Sequence, residues 1–224
     1  MVQKIVLTSL RDQIVQSVHE AIITGELAAG QDISVERLAT QYGVSATPVR
    51  EALALLEGTG LVKFVPNKGA QVTMIHPRDV SDVWEMRRLI EPYAAEIAAG
   101  RCTEDEVAVA NEMLHRVQEC PDDFDAYMAS DFHLHDLLLR HVDNQLLHET
   151  LEHIWTFSKR IRYFAERTVS ARADVVLEVT AEHLAITRAL ENRNGHLASH
   201  LVLHHLVGGE SRTLEAVKQR IKST

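Results

Sequence analysis

The chain has 224 residues, 46% of them hydrophobic and 25% charged, with two cysteines and a formal net charge of −9. That length and composition support a buried core in one large or two modest domains. Cys102 and Cys120 lack a CxxC spacing and read as free thiols of a reducing compartment, which excludes a disulfide-stapled scaffold. No apolar run approaches the roughly 18–20 residues of a membrane span, and Met1 to Leu10 lacks a signal-peptide pattern, so a cytoplasmic location and no membrane partner are expected. The acidic total argues against nucleic acid as a partner of the chain as a whole. The first 74 residues, however, carry six Lys or Arg against seven Asp or Glu, so the acidic excess lies further on.

In chain order, Leu10, Ile14, Val18, Ala21 and Ile22 predict a first helix, capped by Thr8 or Ser9 and ended by Gly25. Ser34 caps a short second helix that turns Leu38 and Ala39 inward. Gly43 then supplies a tight turn. Ser45 is expected to cap a third helix, with Pro48 in its first turn and Val49, Ala52, Leu53 and Leu56 as its buried stripe. Two β-runs, 61–65 and 69–74, flank Pro66–Asn67–Lys68–Gly69, a hairpin signal. Helix, helix-turn-helix, hairpin is the order of a winged helix-turn-helix. Beyond Pro77 the pattern is helical, at about 77–100, 103–119, 122–142, 144–167, 171–192 and 195–220. The expected fold is mainly α: a winged helix-turn-helix over 1–75, then an antiparallel helical bundle over 76–224.

The run Gly43–Val44–Ser45–Ala46–Thr47–Pro48–Val49–Arg50–Glu51–Ala52–Leu53, followed by Leu56–Glu57–Gly58–Thr59–Gly60–Leu61–Val62, resembles the GntR family of transcriptional regulators. The resemblance extends back to Leu10 and forward to the Asn67–Lys68–Gly69 wing, and it implies binding to a double-stranded DNA operator. The physics of the segment agrees. A helix N-terminus aims free N–H groups at phosphate, and Ser45 and Thr47 place short hydroxyls there. Arg50 can reach phosphate or a guanine edge, and Lys68 the neighbouring backbone or minor groove. Ala46 stands where the family usually has Arg, and Arg37 on the preceding helix is a candidate to compensate.

Further on, the Trp84-to-Ala95 segment, the Asp131–Phe132–His133–Leu134–His135 run and Asn144–Gln145–Leu146–Leu147 resemble the FCD domain, the effector-binding domain of the FadR subfamily. Two histidines compete for the family's D-x-x-x-H position. Taking His135 puts Asp131 four residues before it, on one helical face, and Asn144 nine after it, whereas taking His133 puts Ala129 in the carboxylate position. His183 and His205 match the two later family histidines. The resemblance therefore implies a metal site of Asp131, His135, His183 and His205, suited to Zn, Ni or Mn with open positions for a small carboxylate effector. Arg87 is a second candidate anchor for that carboxylate.

With 13 histidines in the chain, some fall at helical spacing by chance, and His196, His200 and His204 form a four-residue ladder of their own. The expected function is a homodimeric repressor that reads a pseudo-palindrome with two recognition helices, and not an enzyme. Two other readings are open: a metal-dependent enzyme built on the histidine cluster, and a DNA-binding dimer that takes no ligand.

Overall fold

A computed structural model describes residues 9–66, 69–166 and 173–222. The chain divides into two compact units, Met1–Ile75 and His76–Thr224. Among the described residues no helix is long and apolar enough to cross a membrane.

In the first unit, α1 (Leu10–Ile23) begins at Ser9, whose hydroxyl accepts the Asp12 N–H at 3.1 Å. Its buried Ile14, Val18 and Ile22 meet the buried stripe of α3 (Ala46–Gly58): Val49, Ala52, Leu53 and Leu56. Between them, α2 (Val35–Tyr42) is capped by Ser34 through the Arg37 N–H. It ends at Gly43, whose φ of +67° is the left-handed conformation that lets the chain turn sharply into α3. Two differences from the sequence reading appear here. Ser45 holds the N-cap position of α3 but makes no capping hydrogen bond, so its hydroxyl is not spent on the helix. The sheet also has three strands, not two: β1 (Asp32–Ile33) pairs antiparallel with β3 (Gly69–Val72), which pairs with β2 (Val62–Val65). A two-residue strand carries no readable alternation, which is why the sequence shows only the hairpin. Asn67 and Lys68, which the sequence pattern assigns to the wing, lie outside the described residues.

The second unit comprises α4 (Pro77–Arg101), α5 (Glu104–Glu119), α6 (Phe124–Arg140), α7 (Gln145–Glu166), α8 (Ala173–Glu191) and α9 (Gly195–Lys222). Asp123 caps α6 through the Ala126 N–H, which places its start two residues later than the sequence pattern suggests. Ala94, Ala95 and Ala98 of α4 share one core with Ala198, Val202 and Leu206 of α9, and these small side chains let the two helices approach closely. The approach is close at Gly195, where an added Cβ would stand 2.8 Å from the Glu96 carbonyl oxygen. Gly195→Ala is therefore expected to destabilise the helical unit by about 1–3 kcal/mol, the usual cost of overpacking. An unchanged unfolding midpoint in urea would contradict it.

The thiols differ sharply. Cys120 is exposed and Cys102 buried, and burial, reinforced by nearby Glu106, pushes the Cys102 thiol up to about 11. Because the thiolate is the reactive form, a chromogenic disulfide reagent at pH 8 should titrate one thiol per chain rapidly. The second should appear only on denaturation; two fast thiols would refute the burial argument.

Candidate functional site

The buried face of α6 carries two polar residues one turn apart, Asp131 and His135, among Met128, Leu134 and Leu138. His183 of α8 and His205 of α9 face them, and all four are at most 3% exposed. The His183 and His205 rings stand 4.5 Å apart, His135 and His205 5.2 Å, and His135 and His183 5.6 Å. One ligand atom from each residue can be chosen so that all four lie within 4.8 Å of one another. A metal with bonds near 2.0–2.2 Å holds its ligand atoms roughly 3–4 Å apart, so only small side-chain adjustments would close the set.

Protonation suits ligation. His135 donates from Nδ1 to the Glu91 carboxylate at 2.6 Å, and its Nε2 is buried with no hydrogen-bond partner. His205 likewise directs Nδ1 at Glu182, 2.7 Å away, and turns Nε2 inward to 3.3 Å from His183 Nε2. Such carboxylate–imidazole pairs fix the tautomer and raise ligand basicity. Burial lowers the His183 and His205 pKa values well below the ordinary range; neighbouring imidazoles add to this, and both rings stay neutral. Burial alone would raise the Asp131 carboxyl, but the adjacent Arg162 guanidinium outweighs it and holds the group ionised. Glu91 is pulled down to about 2 in the same way, against its burial, by Arg87 and His135. Neutral imidazoles and an ionised carboxylate are the forms a cation requires.

The sequence did not reveal the layer behind these four. Arg162 of α7 donates to both Asp131 oxygens at 3.1 Å, to the Tyr127 hydroxyl and to Glu166. Arg87, expected from sequence to anchor an effector, is buried and holds Glu91 and Ser158, with its guanidinium about 5 Å from the rings of Trp84 and Trp155. Arg212 holds Glu182 at 3.2 Å. Beside this layer a cavity of about 330 Å3 is lined by Tyr127, Arg162, Arg212 and Thr213 over an apolar floor that includes Val176 and Ala216. A second gathering, Cys102, Glu106 and His141, also lies within 4.8 Å. There Glu106 is already committed to the start of α5, accepting from the Thr103 N–H and hydroxyl.

In the first unit Ser45, Thr47 and Arg50 are exposed along the first turns of α3, and Arg37 is exposed on α2. The nearest acid to Arg50 is Glu36, at 3.8 Å across a well-exposed pair.

The family of bacterial regulatory proteins called gntR matches residues 10–72, and the FCD domain matches residues 82–208. The transcriptional regulator YdhC of Bacillus subtilis is 26% identical over 200 residues, 86% of each chain. The transcriptional repressor RspR of Escherichia coli is 29% identical over 199 residues, 88% of this chain and 86% of that one. The solved structure of E. coli McbR/YncC superposes with a TM-score of 0.78 at 20% identity, covering 93% of this chain and 99% of that one, a likeness of fold. The family and these relatives point to regulation of transcription and not to catalysis. A helix-turn-helix with its wing in one unit and the FCD match across the other make this chain a transcriptional regulator of the GntR family with an FCD domain.

Proposed function

We propose that the chain is a homodimeric repressor whose grip on its operator is set by a small organic acid bound at a divalent metal in the helical unit. The observation that carries this reading is the convergence of Asp131, His135, His183 and His205, with the inward nitrogen of His135 left bare. Repression is supported by the names of relatives, RspR and a D-xylose utilization operon repressor of Paenarthrobacter nicotinovorans among them.

The four residues fit Zn, Ni or Mn, and such an ion would supply Lewis-acid positions for a carboxylate. Charge favours an anion there. Arg87 and Arg162 offset Glu91 and Asp131 within the buried cluster, so a divalent cation leaves it positive. Arg87 keeps Glu91 ionised and His135 aimed, and its guanidinium would be the second anchor of an effector carboxylate. The cavity beside Arg162 and Arg212, which Glu166 and Glu215 also line, lies outside the four residues and has the volume for a small organic acid. In the DNA-binding unit, Ser45, Thr47 and the α3 N-terminus meet phosphate, Arg50 reads a phosphate or base edge, and Arg37 and Lys68 supply further cationic contacts. By linkage, an effector that favours the DNA-incompetent dimer binds more weakly to the DNA complex.

The test is operator binding by fluorescence anisotropy, with DNA selected from random duplexes. The holoprotein and the chelator-stripped protein are each titrated with two- to six-carbon mono- and dicarboxylates. Release of DNA by an acid from the holoprotein only is expected. Release of equal strength from stripped protein would reject the metal as the effector's anchor.

A further inference from the structure

We propose that the outer face of α9 carries a second metal site, a surface histidine chelate centred on His200 that takes Cu2+, Ni2+ or Zn2+ from solvent. His196, His200 and His204 follow one another at four-residue steps inside α9. Four residues advance a helix by about 6 Å and return to nearly the same face, with Cβ atoms about 5–6 Å apart. The opposite face of α9 is the buried one, holding Ala198, Val202, His205 and Leu206. The three ladder residues are all exposed.

Their partners, or lack of them, distinguish these rings. His115 is paired with Gln118 at 3.0 Å, His141 with Glu106 at 3.2 Å, and His148 with the Val142 carbonyl at 2.6 Å. Among the described residues no hydrogen bond or ion pair engages His196, His200 or His204. Three unengaged imidazoles at one-turn spacing on a long helix form a chelate whose closure needs only rotation of exposed side chains. The helix pre-pays most of the ordering that a second ligand would otherwise cost.

The geometry also fixes the stoichiometry. His196 and His204 are about 12 Å apart along the axis, too far for one ion with bonds near 2 Å. The ladder is therefore two overlapping bidentate sites that share His200, and it holds one ion at a time. With no carboxylate in the set, affinity should follow the general order for nitrogen ligands, with copper the tightest.

Equilibrium dialysis of the full chain against Ni2+ or Cu2+, with elemental analysis, tests the site in four proteins. His200→Ala should lose one ion per chain and weaken surface binding at least tenfold. His196→Ala and His204→Ala each leave one chelate intact and should only double the apparent Kd. Retention of that ion by His200→Ala overturns the proposal, as does its complete loss in either terminal variant. The ion counted is the one that departs with His200, so the result stands whether or not the buried cluster is filled. All three positions are solvent-facing, and far-ultraviolet circular dichroism of each variant checks that the fold is intact.

Discussion

Asp131→Ala should remove tight metal binding from the helical unit and, in the chelator-stripped protein, lower its stability by about 3–5 kcal/mol. The two effects have different causes. The first follows from the loss of the cluster's one anionic ligand. Changing a residue that merely supports a metal ligand typically costs 10–100-fold in affinity, so the ligand itself should cost at least as much. The second follows from Arg162, which is 5% exposed and donates to both Asp131 oxygens. Removing Asp131 takes away one of the two carboxylates that compensate the buried Arg162 charge and leaves Glu166 as its one acidic partner, whereas removing both members of a buried pair can be nearly neutral. The double variant Asp131→Ala with Arg162→Met should therefore recover much of the lost stability while remaining unable to bind metal tightly. Urea unfolding and competitive Zn2+ titration of the three proteins measure both quantities. Equal metal affinity in wild type and Asp131→Ala would remove Asp131 from the ligand set. Equal stability would mean that the Arg162 pair contributes nothing to the fold.

The outer layer explains why a polar cluster persists inside a helical bundle. Buried imidazoles and carboxylates are costly unless each polar atom finds a partner. Here Glu91 serves His135, Glu182 serves His205, and Arg87, Arg212 and Arg162 hold Glu91, Glu182 and Asp131 in turn. The inward nitrogen of His135 and Nδ1 of His183 are left over. The first points where a cation would bind; the structure gives no partner for the second.

Local pattern made much of this fold readable. The stripe Val49, Ala52, Leu53 and Leu56 repeats at helical spacing and is buried as a unit, and the turn at Gly43 takes the left-handed conformation its residue type suggests. Asp131 and His135 were singled out by resemblance to the family's D-x-x-x-H run, whose four-residue step puts both on one helical face. Bringing His183 and His205 to them required family resemblance, since nothing in their own segments encodes a meeting across three helices. Arg162, Glu182 and Glu91 escaped for the same reason. Each lies in an ordinary amphipathic helix among other charged residues, and only packing shows that its charge is turned inward. Ser45 misled in the opposite direction. Serine before a helix normally caps it, yet here the hydroxyl makes no capping bond and stays on the exposed surface at the start of α3.

That surface leads to the other large effect. Arg50→Ala should weaken operator binding by about 1–3 kcal/mol while leaving the unfolding midpoint almost unchanged. Stability should hold because the neighbouring Glu36 is 3.8 Å away and both side chains are more than half exposed, a class of pair worth little. The form of the loss identifies the contact. If Arg50 grips a guanine edge, the variant loses discrimination at one operator position. If it grips phosphate, affinity falls evenly across sequences and the dependence on log salt flattens by about one. Ser45→Ala supplies the companion measurement. A true cap would cost about 0.5–2 kcal/mol of stability, but the Ser45 hydroxyl makes no capping bond, so the substitution should act on DNA affinity and spare the fold. Anisotropy titrations at several salt concentrations, paired with thermal melts, separate these outcomes. Wild-type affinity and salt slope in both variants would mean that the start of α3 does not face DNA, and the recognition surface would have to be sought elsewhere on the winged unit.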